Sequence, residues 1–314
     1  MIERAKALGT NSSIAVVAAH ETSVLEGVAL AHREGLCRGI LIGDRHRIES
    51  IARETGVDLS PHRIIHQPND AVAMELAIDL VKSGEARALS KGIISTGKFM
   101  HALLVERRTL GASGRLSHVA VFGISGFDRL MILSDPAVNI SPDLPTKLEI
   151  VKNAVWVAHR LGVARPNVAM LAATEKVLYP DMPSTVDAAI LAKMSECGQI
   201  PGCVVDGPLA LDNAVSLDAA RIKGVRSPVA GRADILIAHN IEAANICYKA
   251  LVHLTDADMC GMVVGLPFPV LVNSRADPPR FRLLSAALAL VVSHEGQPAT
   301  AATGTAEEIS GASS

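Results

Sequence analysis

The chain has 314 residues, of which 49% are hydrophobic and 20% are charged, and its formal net charge is −2. This length suits two domains with a substantial core, and the composition is that of a globular protein rather than a disordered one. The small net charge gives no electrostatic reason to expect nucleic-acid binding, and no apolar run reaches the ~18 residues that suit a membrane span.

The five cysteines are an odd number, are widely scattered and form no CxxC pair. This pattern indicates reduced thiols in a cytosolic protein rather than a disulfide framework or a zinc site. Residues 1–6 lead into an amphipathic segment, which is not typical of a signal peptide. We therefore expect a cytoplasmic protein that neither spans nor binds a membrane.

Strand and helix signals alternate along the N-terminal half of the chain, which predicts parallel βαβ units. The predicted strands there are 13–19, 39–43, 64–66 and 88–92, and the predicted helices are 21–34, 45–55, 69–83 and 96–106. Strands at 119–122 and 130–135 follow, and the turn at 126–129 between them predicts a hairpin.

A proline-rich break at 140–145 precedes a new helix, 146–161, and predicts a domain boundary. Strands at 167–171, 202–206 and 235–237 then repeat the α/β pattern, before a final strand at 262–272 and a buried helix at 283–292. We therefore predict two α/β domains with mainly parallel sheets. Domain I comprises 1–141 plus 260–295, domain II comprises 142–259, and the small polar residues of 296–314 form a disordered tail.

The most informative polar stretch is 273–277, which follows the final predicted strand. In α/β proteins, ligands collect at the carboxyl ends of strands. The hydroxyl of Ser274, the guanidinium of Arg275 and the carboxylate of Asp277 can orient a nucleophile, bind an anion and accept a proton. The alternative is a polar turn in which Asp277 caps the next helix, which the prolines at 278–279 would suit.

Other polar side chains also stand where predicted strands end. Lys91, Ser95 and Thr96 form either an anion pocket or an ordinary helix cap, and the Walker A spacing of nucleotide hydrolases is absent. Arg115 can reach a phosphate or face water. The side chains at two further strand ends are Ser134, Asp135 and Asn139, and Asp206 and Asn213. No cluster of histidines or carboxylates accompanies them, so we expect no metal.

Taken together, these motifs resemble the phosphate acetyl/butyryltransferase family, from about residue 10 to residue 293. The run 205–216 is the most specific match, and the butyryltransferase branch is the most similar. The other matching motifs are Lys91-Gly92-x-x-Ser95-Thr96, 114–119, 134–144, 182–189, 227–231, 241–251 and 274–277.

The resemblance implies reversible transfer of a short acyl group, from acetyl to butyryl, between CoA and inorganic phosphate. Both substrates would bind together in a cleft between two α/β domains, an architecture similar to that of isocitrate and isopropylmalate dehydrogenases. It further implies a homodimer without cofactor or metal, whose partners are acyl-CoA and phosphate or acyl phosphate.

By the same resemblance, Ser274 orients the CoA thiol, Arg275 binds phosphate and stabilises the oxyanion, and a nearby carboxylate takes the thiol proton. The residues implied to contact phosphate or CoA are Lys91, Ser95, Thr96, His101, Arg115, Ser134, Asp135, Asn139, Asp206 and Asn213.

Two departures from the family pattern stand out. The butyryltransferase branch has an acidic residue a few positions after the Ser-Arg-Ala-Asp motif, whereas 278–282 contains none, which leaves Asp277 as the candidate base. His101 stands where the family has arginine or lysine, and a histidine is only partly charged near neutral pH. We therefore expect weaker or pH-dependent phosphate binding.

Two rival hypotheses follow from these observations. A metal- and NAD-dependent dehydrogenase of related fold would need an aspartate cluster, which the sequence lacks. A sensor that binds CoA or acyl phosphate without turnover is favoured by Arg280 and His101, but the intact Ser274, Arg275 and Asp277 argue against it.

Overall fold

The computed structural model describes residues 1–8, 12–109, 114–274 and 277–294; the predicted tail at 296–314 and Arg275 lie outside these ranges. None of the helices within them is long and apolar enough to cross a membrane. The strands are β1 (Ser13–Val17), β2 (Arg38–Gly43), β3 (Arg63–His66), β4 (Ala88–Lys91), β5 (Ser117–Gly123), β6 (Met131–Ser134), β7 (Asn167–Leu171), β8 (Val204–Leu209), β9 (Ile235–Ile237), β10 (Asp258–Val264) and β11 (Val270–Leu271). The helices are α1 (Ile2–Ala7), α2 (Thr22–Arg33), α3 (Arg45–Thr55), α4 (Asp70–Lys82), α5 (Thr96–Thr109), α6 (Leu144–Arg160), α7 (Pro183–Glu196), α8 (Leu211–Val215), α9 (Leu217–Ile222), α10 (Ile241–Leu254) and α11 (Pro279–Ser293).

Local capping chemistry sets several of these bounds. The side chain of Asp44 accepts hydrogen bonds from the amides that open α3, and Gly56, with φ 69°, ends that helix in the left-handed region. Asn69 caps α4 in the same way, by accepting from the amides of Ala71 and Val72. The alternating elements of the N-terminal half are therefore confirmed with shifts of a few residues at their ends.

The strands form one 11-stranded sheet in the order β3-β2-β1-β4-β11-β10-β5-β6-β9-β7-β8. The first five strands in this order, β3, β2, β1, β4 and β11, are parallel to one another. β10 is antiparallel to both of its neighbours, β11 and β5, and β6 is antiparallel to β5. The predicted hairpin at 119–135 is thereby confirmed. As a consequence, β6, β9, β7 and β8 run opposite to the N-terminal strands, and their carboxyl ends lie at the other edge of the sheet.

The final predicted strand, 262–272, is wrong as a single element. The chain reverses after β10, where Gly265 has φ 102°, and returns as the short strand β11 beside β4. A Cβ atom at Gly265 would lie 2.4 Å from the carbonyl oxygen of Arg115. This turn depends on a contact with a residue far away in sequence, so the local apolar pattern does not reveal it.

Helices cover both faces of the sheet, and on one face the apolar packing divides into two clusters. Met259 and Val263 point to the same face of β10, but Val263 packs with α4 and α5 whereas Met259 packs with α8, α9 and α10. Gly261 lies between them, and the ring of His118 covers it. The division between the two clusters therefore runs across β10, with α5 on one side and α10 on the other.

Candidate active site

The loop between β11 and α11 brings two of the predicted catalytic residues together. The carboxylate of Asp277 accepts a hydrogen bond from the amide of Ser274 at 2.7 Å, and the amide of Asp277 donates to the carbonyl oxygen of Ser274 at 3.2 Å. The N-cap of α11 is Pro278, and no side chain caps the helix there. The alternative in which Asp277 is a helix cap is therefore wrong, because its carboxylate folds back onto its own loop.

The surroundings of Asp277 make its carboxylate unusually basic. Only 6% of the residue is exposed, and burial raises its pKa. The hydrogen bond from Ser274 and the charges of Lys249 and Arg282 oppose this shift without cancelling it. A carboxylate with a raised pKa beside two cations can accept a proton and keep its neighbourhood attractive to anions.

Two basic residues next to this loop were not predicted from the sequence. Arg282 donates from Nη2 to the carbonyl oxygen of Ser274 at 3.2 Å, and Lys249 places its ammonium 5.3 Å from the ring centre of Tyr248. The one available signal for Arg282 was a charged residue inside the apolar stretch of α11. Arg275, the predicted phosphate ligand, lies outside the described residues, so its role stays a prediction.

Arg280 occupies the stretch in which the butyryltransferase branch has its acidic residue. Its guanidinium makes a two-pronged ion pair with Asp258 at the amino end of β10, and this pairing lowers the pKa of Asp258. Arg280 is therefore engaged away from Asp277, and Asp277 remains the carboxylate of the loop.

Lys91 and Ser95 organise the turn after β4. Lys91 is 6% exposed and donates to the carbonyl oxygens of Gly92 at 3.0 Å and Ile94 at 3.1 Å. The hydroxyl of Ser95 accepts from the amide of Lys98 at 3.3 Å, which is a capping interaction. Thr96 is exposed at the start of α5. The turn lies at the same edge of the sheet as Ser274, since β4 and β11 are parallel neighbours.

His101 is exposed on α5 and lines a groove of about 870 Å³ at this edge. The groove lies outside the carboxyl ends of β1, β2 and β4, where ligands bind in doubly wound sheets. Its other charged or imidazole side chains include His20, Asp44, Arg47, Asp70 and Lys98. Burial and the charge of Arg47 lower the pKa of His20, so this imidazole is mainly neutral near pH 7.

A second group of predicted residues lies at the opposite edge of the sheet. Because β6 is antiparallel to β5, Ser134 pairs with Val119 near the start of β5. Asp135 follows Ser134, and the exposed Arg115 precedes β5. At about 3.3 Å per residue, the four steps of β5 from Val119 to Gly123 separate Ser134 from the other edge by roughly 13 Å.

Within that group, the polar atoms serve mainly to build the turn. The carboxylate of Asp135 accepts five hydrogen bonds, from the amides of His118, Ala137, Val138 and Asn139 and from the side chain of Asn139. Ser134 donates to the carbonyl oxygen of His118 at 2.8 Å, and Asn139 also donates to that of Leu116 at 2.8 Å. Binding roles for these residues stay predictions.

Asp206 and Asn213 are associated with β8, at the far end of the sheet. Asp206 accepts from the amide of Gly207 at 2.8 Å, and the fully buried Asn213 donates to the carboxylate of Glu175. Since β8 is six strands from β11, about 29 Å separates them at 4.8 Å per strand. The described chain therefore does not bring these two residues to Ser274.

Comparisons with known proteins identify the family of this chain. A family model described as "Phosphate acetyl/butaryl transferase" matches residues 66–289. The phosphate butyryltransferase of Clostridium acetobutylicum is 46% identical over 89% of this chain and 92% of its own length, and the phosphate acetyltransferase of Thermotoga maritima is 43% identical over 93% and 98%.

A solved structure points the same way. The branched-chain phosphotransacylase of Enterococcus faecalis V583 matches with a TM-score of 0.79 and 30% identity, covering 90% of this chain and 99% of that protein. The one-sheet α/β fold, the Ser274–Asp277 loop and these relatives together lead to one conclusion: the chain belongs to the phosphate acetyl/butyryltransferase family and is an acyltransferase.

Proposed function

We propose that this acyltransferase moves a short acyl group between CoA and inorganic phosphate at the loop that carries Ser274 and Asp277. The observation that carries the proposal is the buried carboxylate of Asp277, which hydrogen-bonds to the Ser274 amide in a chain of this family. The named relatives are phosphate butyryl- and acetyltransferases, and acyl transfer to phosphate is the reaction that we expect at such a loop.

The chemical steps balance without a further reactant. In the direction from acyl phosphate, the carboxylate of Asp277 accepts the proton of the CoA thiol, which the hydroxyl of Ser274 orients. The thiolate sulfur then attacks the acyl carbon, so that a C–S bond forms and the carbonyl oxygen becomes an oxyanion. The oxyanion collapses, the C–O bond to phosphate breaks, and the proton held by Asp277 leaves with the phosphate.

The raised pKa of Asp277 suits this proton transfer. A free thiol has a pKa of about 8.5, and a carboxylate is a better base for it when its own pKa moves toward that value. Burial provides the shift, while the nearby charges of Lys249 and Arg282 keep it moderate. Arg275 is proposed to bind phosphate and the oxyanion, as the family resemblance implies.

The remaining site residues are proposed as substrate contacts at different distances from the reacting atoms. Lys91, Ser95, Thr96 and His101 share the edge of the sheet with Ser274, which favours them as contacts to phosphate or to the near part of CoA. Arg115 and the group around Asp135 lie at the other edge, and Asp206 and Asn213 are farther still. We propose that Asp206 and Asn213 contact either a part of a substrate that is far from the reacting atoms or only other residues of the protein.

We also propose that the site occupies a cleft between two α/β domains, with domain I formed by 1–141 and 260–295 and domain II by 142–259. The reversal of strand direction at β6, close to residue 141, supports this division. The two apolar clusters divide elsewhere, at β10, and β5 and β6 pack with the helices of domain II. We further propose an architecture similar to that of isocitrate dehydrogenase, a homodimer and the lack of a cofactor, and these rest on the resemblance to the family. A cytoplasmic location is also proposed, because the scattered cysteines indicate reduced thiols.

The test is CoA release by the purified protein with phosphate and a series of acyl-CoAs from acetyl to hexanoyl. We expect release that requires phosphate, peaks at one chain length and collapses in Ser274→Ala. Tight CoA binding by calorimetry with no release from any acyl-CoA would contradict the proposal and support the sensor hypothesis instead.

A further inference from the structure

A buried arginine ties the proposed catalytic loop to the first turn of α2. Arg282 is 8% exposed, and its Nη2 donates both to the hydroxyl of Ser23 at 3.0 Å and to the carbonyl oxygen of Ser274 at 3.2 Å. Arginine is seldom buried to this degree unless its charge and its donors have partners. The guanidinium therefore links two segments that are about 250 residues apart in sequence.

The aliphatic part of the Arg282 side chain packs closely against α2, in addition to the hydrogen bonds of its guanidinium. A Cβ atom at Gly27 of α2 would lie 2.8 Å from the Cδ atom of Arg282, so α2 has a glycine where the arginine passes. Beside the side chain is a cavity of about 30 Å³, lined by Ser90 and Asn273 among others. Most of its lining is apolar, and its volume suits one water molecule. Nε of Arg282 is a buried donor without a partner among the described residues.

Arg282 and Asp277 influence each other's pKa through their charges. Burial lowers the pKa of Arg282, whereas Glu21 and Asp277 oppose that shift. In return, the charges of Arg282 and Lys249 lower the pKa of Asp277 against the effect of burial. Asp277 also acts on Tyr248, whose pKa is raised mainly by burial and further by the charge of Asp277. Arg282 is thus one of two described cations that act on the proposed base.

We propose that Arg282 is a positioning residue of the acyl transfer: it holds the Ser274 carbonyl against α2 and so fixes the turn in which Asp277 accepts the Ser274 amide. This inference rests on the function proposed above. Arg282 reaches the reaction through Ser274 and Asp277 and is not itself expected to contact the reacting atoms.

The same helix provides a matched control. Arg280 stands two residues before Arg282, but it is more than half exposed at its side chain and pairs with Asp258. Replacing either arginine removes one charge from the first turns of α11. Only Arg282 contacts the loop of Ser274, so the two substitutions separate a positioning role from a general effect on the helix.

The experiment compares Arg282→Met, Arg282→Lys and Arg280→Met by the pH dependence of thiol consumption from CoA and acyl phosphate. We expect Arg282→Met to lower kcat by about tenfold to a hundredfold, because a small displacement of reacting groups has that effect, with a smaller change in KM. Loss of a nearby cation raises the pKa of Asp277, so the acidic limb of the profile should move to higher pH.

Arg282→Lys should return the acidic limb toward its original position, because it restores the charge, while kcat recovers only in part. Arg280→Met should leave both unchanged. If Arg282→Met does not fold, Ser23→Ala removes one anchor and keeps the charge, and we expect lower kcat with an unmoved limb. An unmoved limb and unchanged kcat in Arg282→Met, or an unchanged kcat in Ser23→Ala, would overturn the inference. A wild-type protein without turnover would instead overturn the proposed function.

Discussion

The carboxylate of Asp277 lies 2.7 Å from the amide nitrogen of Ser274, so the proposed base and the residue proposed to orient the thiol are parts of one closed turn. The described residues of this turn lie outside regular secondary structure, yet they are anchored on both sides. Asn273, directly before it, donates to Ser285 in α11, and Arg282 holds the Ser274 carbonyl. Because both anchors belong to the rigid α/β framework, they can hold the side chains of this loop in the geometry that a reaction needs.

Asp277→Asn should abolish most of the activity while leaving the fold intact. The amide cannot accept the thiol proton, and general-base catalysis contributes about a hundredfold to ten-thousandfold. Thiol consumption with acyl phosphate measures the loss. Above pH ~8.5 the thiol ionises without help, so the deficit should shrink there. Asp258→Asn, at the exposed ion pair with Arg280, is the control and should retain activity. A deficit that stays constant across this pH range would argue against Asp277 as the base.

Gly92→Ala should severely destabilise the junction between β4 and its following turn. A Cβ atom there would lie 2.2 Å from the carbonyl oxygen of Ala18, which is backbone and cannot move aside. We expect a loss of about 3 kcal/mol or more, at the upper end of what overpacking costs.

Gly97→Ala is the matched control for that substitution. Nothing lies within 4 Å of a Cβ atom at Gly97, which is exposed in the first turn of α5. The change should stabilise the protein by up to ~1 kcal/mol through helix propensity. Urea unfolding measures both variants, and equal stabilities would show that Gly92 is not held against β1 as described.

The ammonium of Lys147 is a buried charge with two partners. It donates to Asp187 at 2.6 Å and lies 3.1 Å from Nδ1 of His239, and its side chain is 2% exposed. Asp187→Asn leaves this ammonium without a charged partner, which should cost about 3–5 kcal/mol. Lys147→Met should cost less, because Asp187 is 24% exposed and can turn to water. The two unfolding free energies should therefore differ clearly, and equal losses would contradict this account.

His62 should make stability depend on pH in the mildly acidic range. Burial, followed by the charge of His32, lowers its pKa from 6.5 to about 4, and its Nδ1 accepts from the amide of Gly39. Between these pKa values the unfolded chain binds more protons than the folded chain, so stability falls as pH drops through this window.

His62→Gln should therefore flatten the change in Tm between pH 7 and pH 5, because its carbonyl oxygen can still accept the Gly39 amide. His253→Gln, at an exposed position of α10, is the control and should change Tm with pH as the wild type does. If His62→Gln lost as much stability on acidification as the wild type, other groups would have to account for the effect.

Much of the fold could be predicted because its signals are local. The apolar run of β1 and the caps Asp44 and Asn69 act within a few residues, so the alternating N-terminal half was correct in type and order. The error at 262–272 has the opposite origin. The reversal at Gly265 is fixed by the backbone of Arg115, and two apolar segments of opposite direction look like one strand when read alone.

The candidate site likewise combines residues that local sequence signals reveal with residues that only long-range packing brings together. The Ser-Arg-Ala-Asp motif predicts Ser274 and Asp277 as site residues, and the hydrogen bond that pairs them spans only three residues of sequence. The sequence did not identify Lys249 or Arg282 as their neighbours, because those contacts arise from the packing of α10 and α11 around the loop.

The sequence by itself determined the alternating α/β elements, the family and the loop that holds Ser274 and Asp277, because periodicity, caps and contiguous motifs are properties of neighbouring residues. The tertiary structure decided which edge of the sheet each polar group occupies. Reversed strand direction at β6 moved Ser134 and Asp135 away from Ser274, although both groups follow strands in the sequence. Direction is set by long-range pairing of strands, and burial then decides which carboxylate becomes basic and which arginine can act on it.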